Sequence, residues 1–318
     1  MMNRQPLSLQ KQTEEMMMAL PRAIVFGEAL TDLVQGSPGQ WQGYPGGAPW
    51  NVARTLSRLG ISTAFAGSIS TDSLGDEIAR QSELAGLDTR FIQRIDRDPL
   101  VAVIPSSRPP RYFFAGEADL SFDPVLMPEG WEDQVEVCHF SCISLARLPL
   151  GDRLVKLAQH AKAAGKRISY DPNWRNLMDS NYREKTFPTM TTLADIIKLS
   201  DEDIRQIYPG LTESQAMDEI RALNPLAHIL FTRGEQGMIL HTPDSQHEQP
   251  AIPVDVADTV GAGDASMAGW LAADLLGIAD LMDRLRFSAA CASISCRHAG
   301  AHAPALAEVK DLLNELGY

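Results

Sequence analysis

Short apolar runs alternate with helical patterns along most of this chain, and that alternation leaves few folds open to it. The runs "STAFAGS", "LVAVIP", "RYFFAG", "VEVCHFS", "RISYD", "DIIKLS", "HILFT" and "GMILHT" read as strands. Residues 152–164 and 213–223 read as helices between them, and helices dominate the C-terminal end. Two parallel strands of one sheet need a long crossover, usually a helix, so the pattern predicts an α/β fold with a central, mostly parallel sheet flanked by helices. No internal repeat or low-complexity linker divides the 318 residues, which predicts one domain over 23–318 after a loose tail over 1–22. Polar, aromatic stretches near 34–45 and 100–115 fall outside the rhythm and predict a small β lid.

Charge and cysteine usage narrow the partners. The formal charge is −13, from 41 acidic against 28 basic residues, and no basic block could track a phosphate backbone, so nucleic acid is excluded as a partner. The start, "MMNRQPLSLQKQTEEMMMALPRA", has acids in its middle and lacks a secretory apolar core. "GWLAADLLGIADLM" is cut by Asp274 and Asp280, short of the about 18 apolar residues of a membrane helix. Cys138, Cys142, Cys291 and Cys296 form no C-x-x-C pair and predict buried free thiols in a reducing, cytoplasmic setting.

The stretch "DTVGAGDAS" carries the chemistry. Gly261 and Gly263 match only the first two glycines of a dinucleotide fingerprint, and the G-K-[ST] ending of a P-loop is missing. Met267, Leu271 and Leu275 give the residues after Gly263 a helical period, so the glycines form a turn that opens a helix. Free amides at a helix start converge on an anion, and glycine lets the anion come close. Asp264 beside such an anion would repel it unless it serves as the base for an attacking hydroxyl. The same spacing also suits an acidic helix start after a flexible turn, and spacing alone does not choose.

Other turns offer partners for a ligand. "GEALTDL" and "YPGGAPWNVA" bring Asp32 to a strand and Asn51 to a helix start, while Gly46 and Gly47 allow close approach to the backbone. A strand-end turn and an ordinary first-turn residue explain the same two positions. In "YDPNWRN", Asp171, Asn173 and Arg175 follow a buried strand, the usual address for binding groups in parallel sheets. "KLSDED" and "TRGEQG" also follow strands, so Asp203, Thr232 and Gly234 are candidates for phosphates or magnesium, although the acidic run also suits a solvated helix start.

Taken in order, "GEALTDL", "PGGAPWNVARTLSRLG", "YDPNWRN", "TRGEQG" and "DTVGAGDAS" resemble the ribokinase-like, or PfkB, carbohydrate kinases from about residue 23 to 301. "DPNWR" and "GGAPWNVA" look most like the fructokinases among them. The resemblance implies ATP-dependent phosphorylation of a sugar primary hydroxyl, with Asp264 as base and the amides of Gly261, Ala262 and Gly263 as anion hole. It implies that Asp32, Gly46, Gly47, Asn51, Phe114 and Arg175 hold the sugar, and that Ser200, Thr232, Gly234, Gly237, Gly261 and Gly263 line the nucleotide. It further implies Mg2+, with Asp203 at the metal, and a monovalent cation such as K+; the exposed edge of a β lid separately predicts pairing with a second copy into a homodimer. Two departures stand out: Ser200 and Asp203 occupy positions where the family often has asparagine and glutamate, and a frequent asparagine near Ala289 is missing. A 2-keto-3-deoxygluconate kinase is the rival enzyme, weakened because Ala115 follows the lid aromatics where acid-sugar kinases commonly carry arginine. A sugar-binding regulatory module is the rival without turnover.

Overall fold

The computed structural model describes residues 20–36, 39–105 and 111–318. The expected tail therefore lies outside the described residues up to position 19, as do 37–38 and 106–110 of the expected lid. The strands among the described residues are β1 (Ala23–Phe26), β2 (Leu30–Gln35), β3 (Trp41–Gly46), β4 (Thr63–Ser70), β5 (Ile92–Ile95), β6 (Val101–Ile104) and β7 (Phe113–Ala115). They continue with β8 (Val137–Ser141), β9 (Arg167–Asp171), β10 (Ile196–Ser200), β11 (His228–Thr232), β12 (Met238–His241) and β13 (Gln246–Gln249).

Nine strands form one sheet in the order β13-β12-β11-β10-β9-β8-β1-β4-β5. From β11 to β5 the pairings are parallel, while β12 and β13 turn back antiparallel at one edge. Burial on both faces explains the apolar runs: Ile24 and Phe26 of β1 enter one core cluster, whereas Ala23 and Val25 enter the other. The first cluster is closed by helices Leu150–Ala163, Phe187–Leu193 and Glu213–Leu223. Helices Ala48–Arg58, Ala262–Leu275, Leu281–Cys296 and Leu306–Glu315 close the second. The helix expected over 152–164 begins two residues earlier, at Leu150.

A second sheet, β3-β2-β6-β7, pairs β2 with β6 in parallel and adds β3 and β7 antiparallel. It takes in "LVAVIP" and "RYFFAG", and it leaves Trp41 and Phe113 exposed. β5 and β13 have no counterpart in the sequence reading. β13 is the polar run "QHEQ", which joins the sheet through backbone pairing with β12 at an edge and so needs no apolar pattern.

No helix among the described residues is long and apolar enough to cross a membrane. Cys138, Cys142 and Cys291 are buried free thiols, and Cys296 is half-buried.

Trp50 shows how tightly the second core is filled: its ring is fully buried and its Nε1 donates to Ser82 Oγ at 2.9 Å. Replacing it by alanine removes that ring and the hydrogen bond together. W50A is expected to lower the unfolding free energy by about 3–5 kcal/mol in urea titrations, whereas a change below about 1 kcal/mol would contradict this packing.

Candidate active site

The parallel strands deliver their polar residues to one edge of the large sheet. β8 ends at Ser141, β9 at Asp171, β10 at Ser200 and β11 at Thr232, and the turn after β9 brings Asn173 to the start of helix Ala262–Leu275 and Arg175 near the small sheet's Asp32. Carboxyl ends of strands are where open parallel sheets bind ligands.

Asp264 lies in the first turn of that helix and is buried. Asn51 Nδ2 donates to its Oδ2 at 2.9 Å, and Asn173 Nδ2 donates to its Oδ1 at 3.3 Å. Each asparagine is itself oriented by an arginine. Arg54 Nη2 donates to Asn51 Oδ1 at 3.0 Å, and Arg175 Nη1 donates to Asn173 Oδ1 at 2.7 Å. An amide whose oxygen already accepts from a guanidinium can turn only its NH2 toward Asp264, so both carboxylate oxygens meet donors. That arrangement selects the ionised acid. Burial nevertheless raises its pKa, against the opposing pull of Asn51, Lys198, Arg175 and Arg54.

Beneath the turn lies a buried ion pair. Lys198 Nζ stands 2.9 Å from Asp171 Oδ2, with side chains only 3% and 1% exposed. Burial pushes Asp171 up to about 6, although Lys198 pulls it down. Lys198 also borders the glycine turn: a methyl group on Gly263 would sit 3.6 Å from its Nζ. Asp32, on β2, is pushed to about 6 by burial, with Arg175 lowering it and Asp264 raising it.

The other sequence candidates fall into distinct environments. Gly46 is the floor under Asp32, since a methyl group there would meet Asp32 Oδ2 at 2.3 Å. Gly47, at φ 110°, caps helix Ala48–Arg58 and passes against the Glu28 carbonyl. Phe114 stacks on Tyr112 with ring centroids 5.9 Å apart, and Arg175 lies over the Tyr112 ring at 5.2 Å. Gly261 is left-handed at φ 79° and caps helix Ala262–Leu275, as a glycine turn opening a helix requires. The Ala262 amide makes a long 3.3 Å bond to the Thr259 carbonyl, while Gly263 and Asp264 occupy first-turn positions whose amides have no intrahelical acceptor.

Ser200 and Asp203 form a capping box at helix Asp201–Ile207: Asp203 Oδ2 accepts from the Ser200 amide and hydroxyl, both at 2.7 Å. Asp203 Oδ1 accepts from the Trp174 amide at 2.7 Å, so both of its oxygens are engaged. Thr232 Oγ1 donates to the Leu199 carbonyl at 3.4 Å. Gly234 is left-handed with open space around it, whereas Gly237 is needed for close packing against the Gln249 carbonyl.

Comparison with known proteins joins this geometry to a family. The model of the pfkB family of carbohydrate kinases matches residues 21–308. The chain belongs to the pfkB carbohydrate kinases. It is 31% identical to a fructokinase of Vibrio alginolyticus, over 78% of this chain and 82% of that protein. It is 30% identical to fructokinase-2 of Solanum lycopersicum, over 92% and 95% of the two chains. A crystal structure of fructokinase with bound ATP from Xylella fastidiosa superposes with a TM-score of 0.82 at 26% identity, covering 94% of this chain and all of that one.

Three groups of this pfkB kinase's site escaped the sequence reading. Lys198 sits in the apolar run "DIIKLS", where a lone lysine in a doubly covered strand was the available signal. Arg54 lies one turn after Asn51 in the same helix, and nothing in its local sequence separates it from an ordinary solvated arginine. Glu28, in "GEALTDL", is buried below Gly47, and its Oε2 accepts from the amide and the hydroxyl of Ser144.

Burial pushes Glu28 from 4.5 up to about 7, with Ser144 opposing. A carboxyl whose folded pKa is raised stabilises the fold below its unfolded pKa and loses that contribution as pH rises through the folded one. Between about pH 4.5 and 8, E28Q is therefore expected to gain on the parent by on the order of 3 kcal/mol in urea unfolding, because glutamine never ionises. A constant difference across that window would refute the assignment.

Proposed function

We propose that this pfkB kinase is a fructokinase, transferring the γ-phosphoryl group of ATP to the primary hydroxyl of D-fructose and releasing D-fructose 6-phosphate and ADP. The observation that carries the reading is Asp264, an acid whose two oxygens are held by NH2 donors at the start of a glycine-opened helix. The named fructokinase relatives support the substrate.

The residues fit a nucleotide at this edge. Left-handed Gly261 and Gly234 expose backbone, and first-turn amides and Lys198 offset phosphate charge. Bound ATP supplies the phosphoryl group, with Mg2+ neutralising part of its charge. Both oxygens of Asp203 are taken up by the Trp174 and Ser200 donors, so in this arrangement it holds the turn rather than Mg2+. Asp264 takes the proton from the sugar hydroxyl as the oxygen bonds to phosphorus and the bond to ADP breaks. Asp32 and Asn51 hold neighbouring hydroxyls, and Phe114 stacked on Tyr112 closes the sugar from water.

A neutral sugar suits these charges better than 2-keto-3-deoxygluconate. Asp32 and Asp264 repel a substrate carboxylate, and Arg175 Nη1 is already spent on Asn173 and Trp174 oxygens. The deciding measurement is kcat/KM for fructose, 2-keto-3-deoxygluconate, glucose and ribose in a coupled ADP assay. Fructose is expected to lead. An acid sugar ahead by tenfold, about 1.4 kcal/mol, would reject fructose, and no ADP with any sugar would leave only a regulatory sugar-binding module. We further propose a homodimer through the small sheet, where Trp41 and Phe113 are exposed; a monomer by light scattering would refute it.

Two variants separate the roles. D264N is expected to lower kcat roughly 100-fold or more while sugar still binds. The pair D171N/K198M removes the buried ion pair without stranding a charge, and it is expected to cost about 100-fold in kcat if Lys198 serves the phosphoryl group. Near-parental turnover in either protein would remove that residue from the mechanism.

A further inference from the structure

Outside this site, the turn between helices Leu281–Cys296 and Leu306–Glu315 brings two imidazoles against a carboxylate in the first turn of the second helix. The ligand atoms of His298, His302 and Glu308 all lie within 4.8 Å of one another. We propose that they form a binding site for a first-row divalent transition-metal ion of the zinc class.

Three observations converge on it. The His298 and His302 rings are stacked with centroids 3.8 Å apart, which holds the two imidazoles side by side. His302 Nε2 is shielded from solvent and has no hydrogen-bond partner. It nevertheless lies 3.4 Å from Glu308 Oε1. That spacing without hydrogen-bond alignment is about the edge of a tetrahedron with metal bonds of roughly 2.0–2.1 Å. Glu308 Oε2 is occupied by the Ala305 amide at 2.6 Å, which fixes the carboxylate and leaves Oε1 for the ion. His298 is exposed, so an ion reaches the cluster from solvent and water completes its shell.

The backbone that carries the ligands is held in place beforehand. Arg54 Nη2 donates to the Ala301 carbonyl at 3.0 Å, Arg58 Nε to the Ala303 carbonyl at 2.7 Å, and the Gly300 amide to Asp258 Oδ2 at 2.9 Å. Two imidazoles with one carboxylate favour zinc, nickel, cobalt or copper over magnesium, which prefers oxygen ligands and water. The site is therefore chemically distinct from any magnesium that accompanies a nucleotide. Because Ala301 packs against Gly261, a bound ion would brace the turn at the head of helix Ala262–Leu275.

The test uses the full chain stripped with a chelator and titrated calorimetrically with Zn2+ in excess Mg2+, with circular dichroism to confirm folding. One saturable equivalent is expected, weakened at least tenfold in H298A, in H302A and in E308Q, and unchanged in C296S. Cobalt is expected to give visible bands without a thiolate charge-transfer band. Absence of saturable binding, parental affinity in any of the three ligand variants, or a charge-transfer band lost in C296S would each overturn the site. His298 is exposed, so H298A tests the ligand set even if H302A fails to fold.

Discussion

Keeping charge buried at the carboxyl edge of the sheet is the constraint on which the rest of this structure depends. Asp171, Asp203 and Asp264 are all shielded from water, with Asp32 beside them, and an isolated buried carboxylate is costly. Lys198, Arg175 and Arg54 answer those four acids with three cations, and the backbone amides of Ser200 and Trp174 complete the coordination of Asp203. The balance remains slightly acidic. A polyphosphate can enter such a site only with positive charge of its own, which is the physical reason to expect a divalent cation with the nucleotide.

The fold supplies this network from distant parts of the chain. Asn51 and Asp264 are 213 positions apart, yet helices Ala48–Arg58 and Ala262–Leu275 pack side by side on one face of the sheet and bring them into contact. β9 and β10 are neighbours in the sheet, so Asp171 and Lys198 meet as a consequence of strand order. The small sheet contributes Asp32 from β2, whose position over Gly46 depends on the antiparallel pairing of β2 with β3.

Much of this was legible in the sequence because glycine and turn chemistry mark where a chain must stop and expose backbone. Gly261 marked the helix start that carries Asp264 and Gly47 the one that carries Asn51, while Asp32 followed from the end of an apolar run. The alternation of strands and helices gave the large sheet, since doubly buried strands must be apolar throughout. What stayed hidden has the opposite character. β13 owes its place to backbone pairing, which leaves no local pattern, and Lys198 to compensation by an acid on the next strand, of which a lone lysine in an apolar run is the only local trace. The pairing of Ser200 with Asp203 does follow a local rule, the capping box, and it is the helix-start role that the acidic run offered beside magnesium.

Asparagine normally has two orientations that exchange donor for acceptor, and an acid facing the wrong one would have to take up a proton to make a hydrogen bond. In this site the ambiguity is removed twice by the same means. Arg54 fixes Asn51 and Arg175 fixes Asn173, because a guanidinium has only hydrogens to offer and must meet the amide oxygen. Lysine in either place would supply a charge but not the same planar fork. Arg54 also holds the Ala301 carbonyl and stacks over Trp50 at 3.9 Å, so its orientation is set by packing on one side and by the glycine turn's neighbour on the other. The donor that Asn51 presents to Asp264 is thereby tied to core packing at Trp50 and to the backbone beside Gly261. Under the fructokinase reading proposed above, an acid that takes the proton of a sugar hydroxyl depends on both relays, because each keeps a donor rather than an acceptor turned toward it.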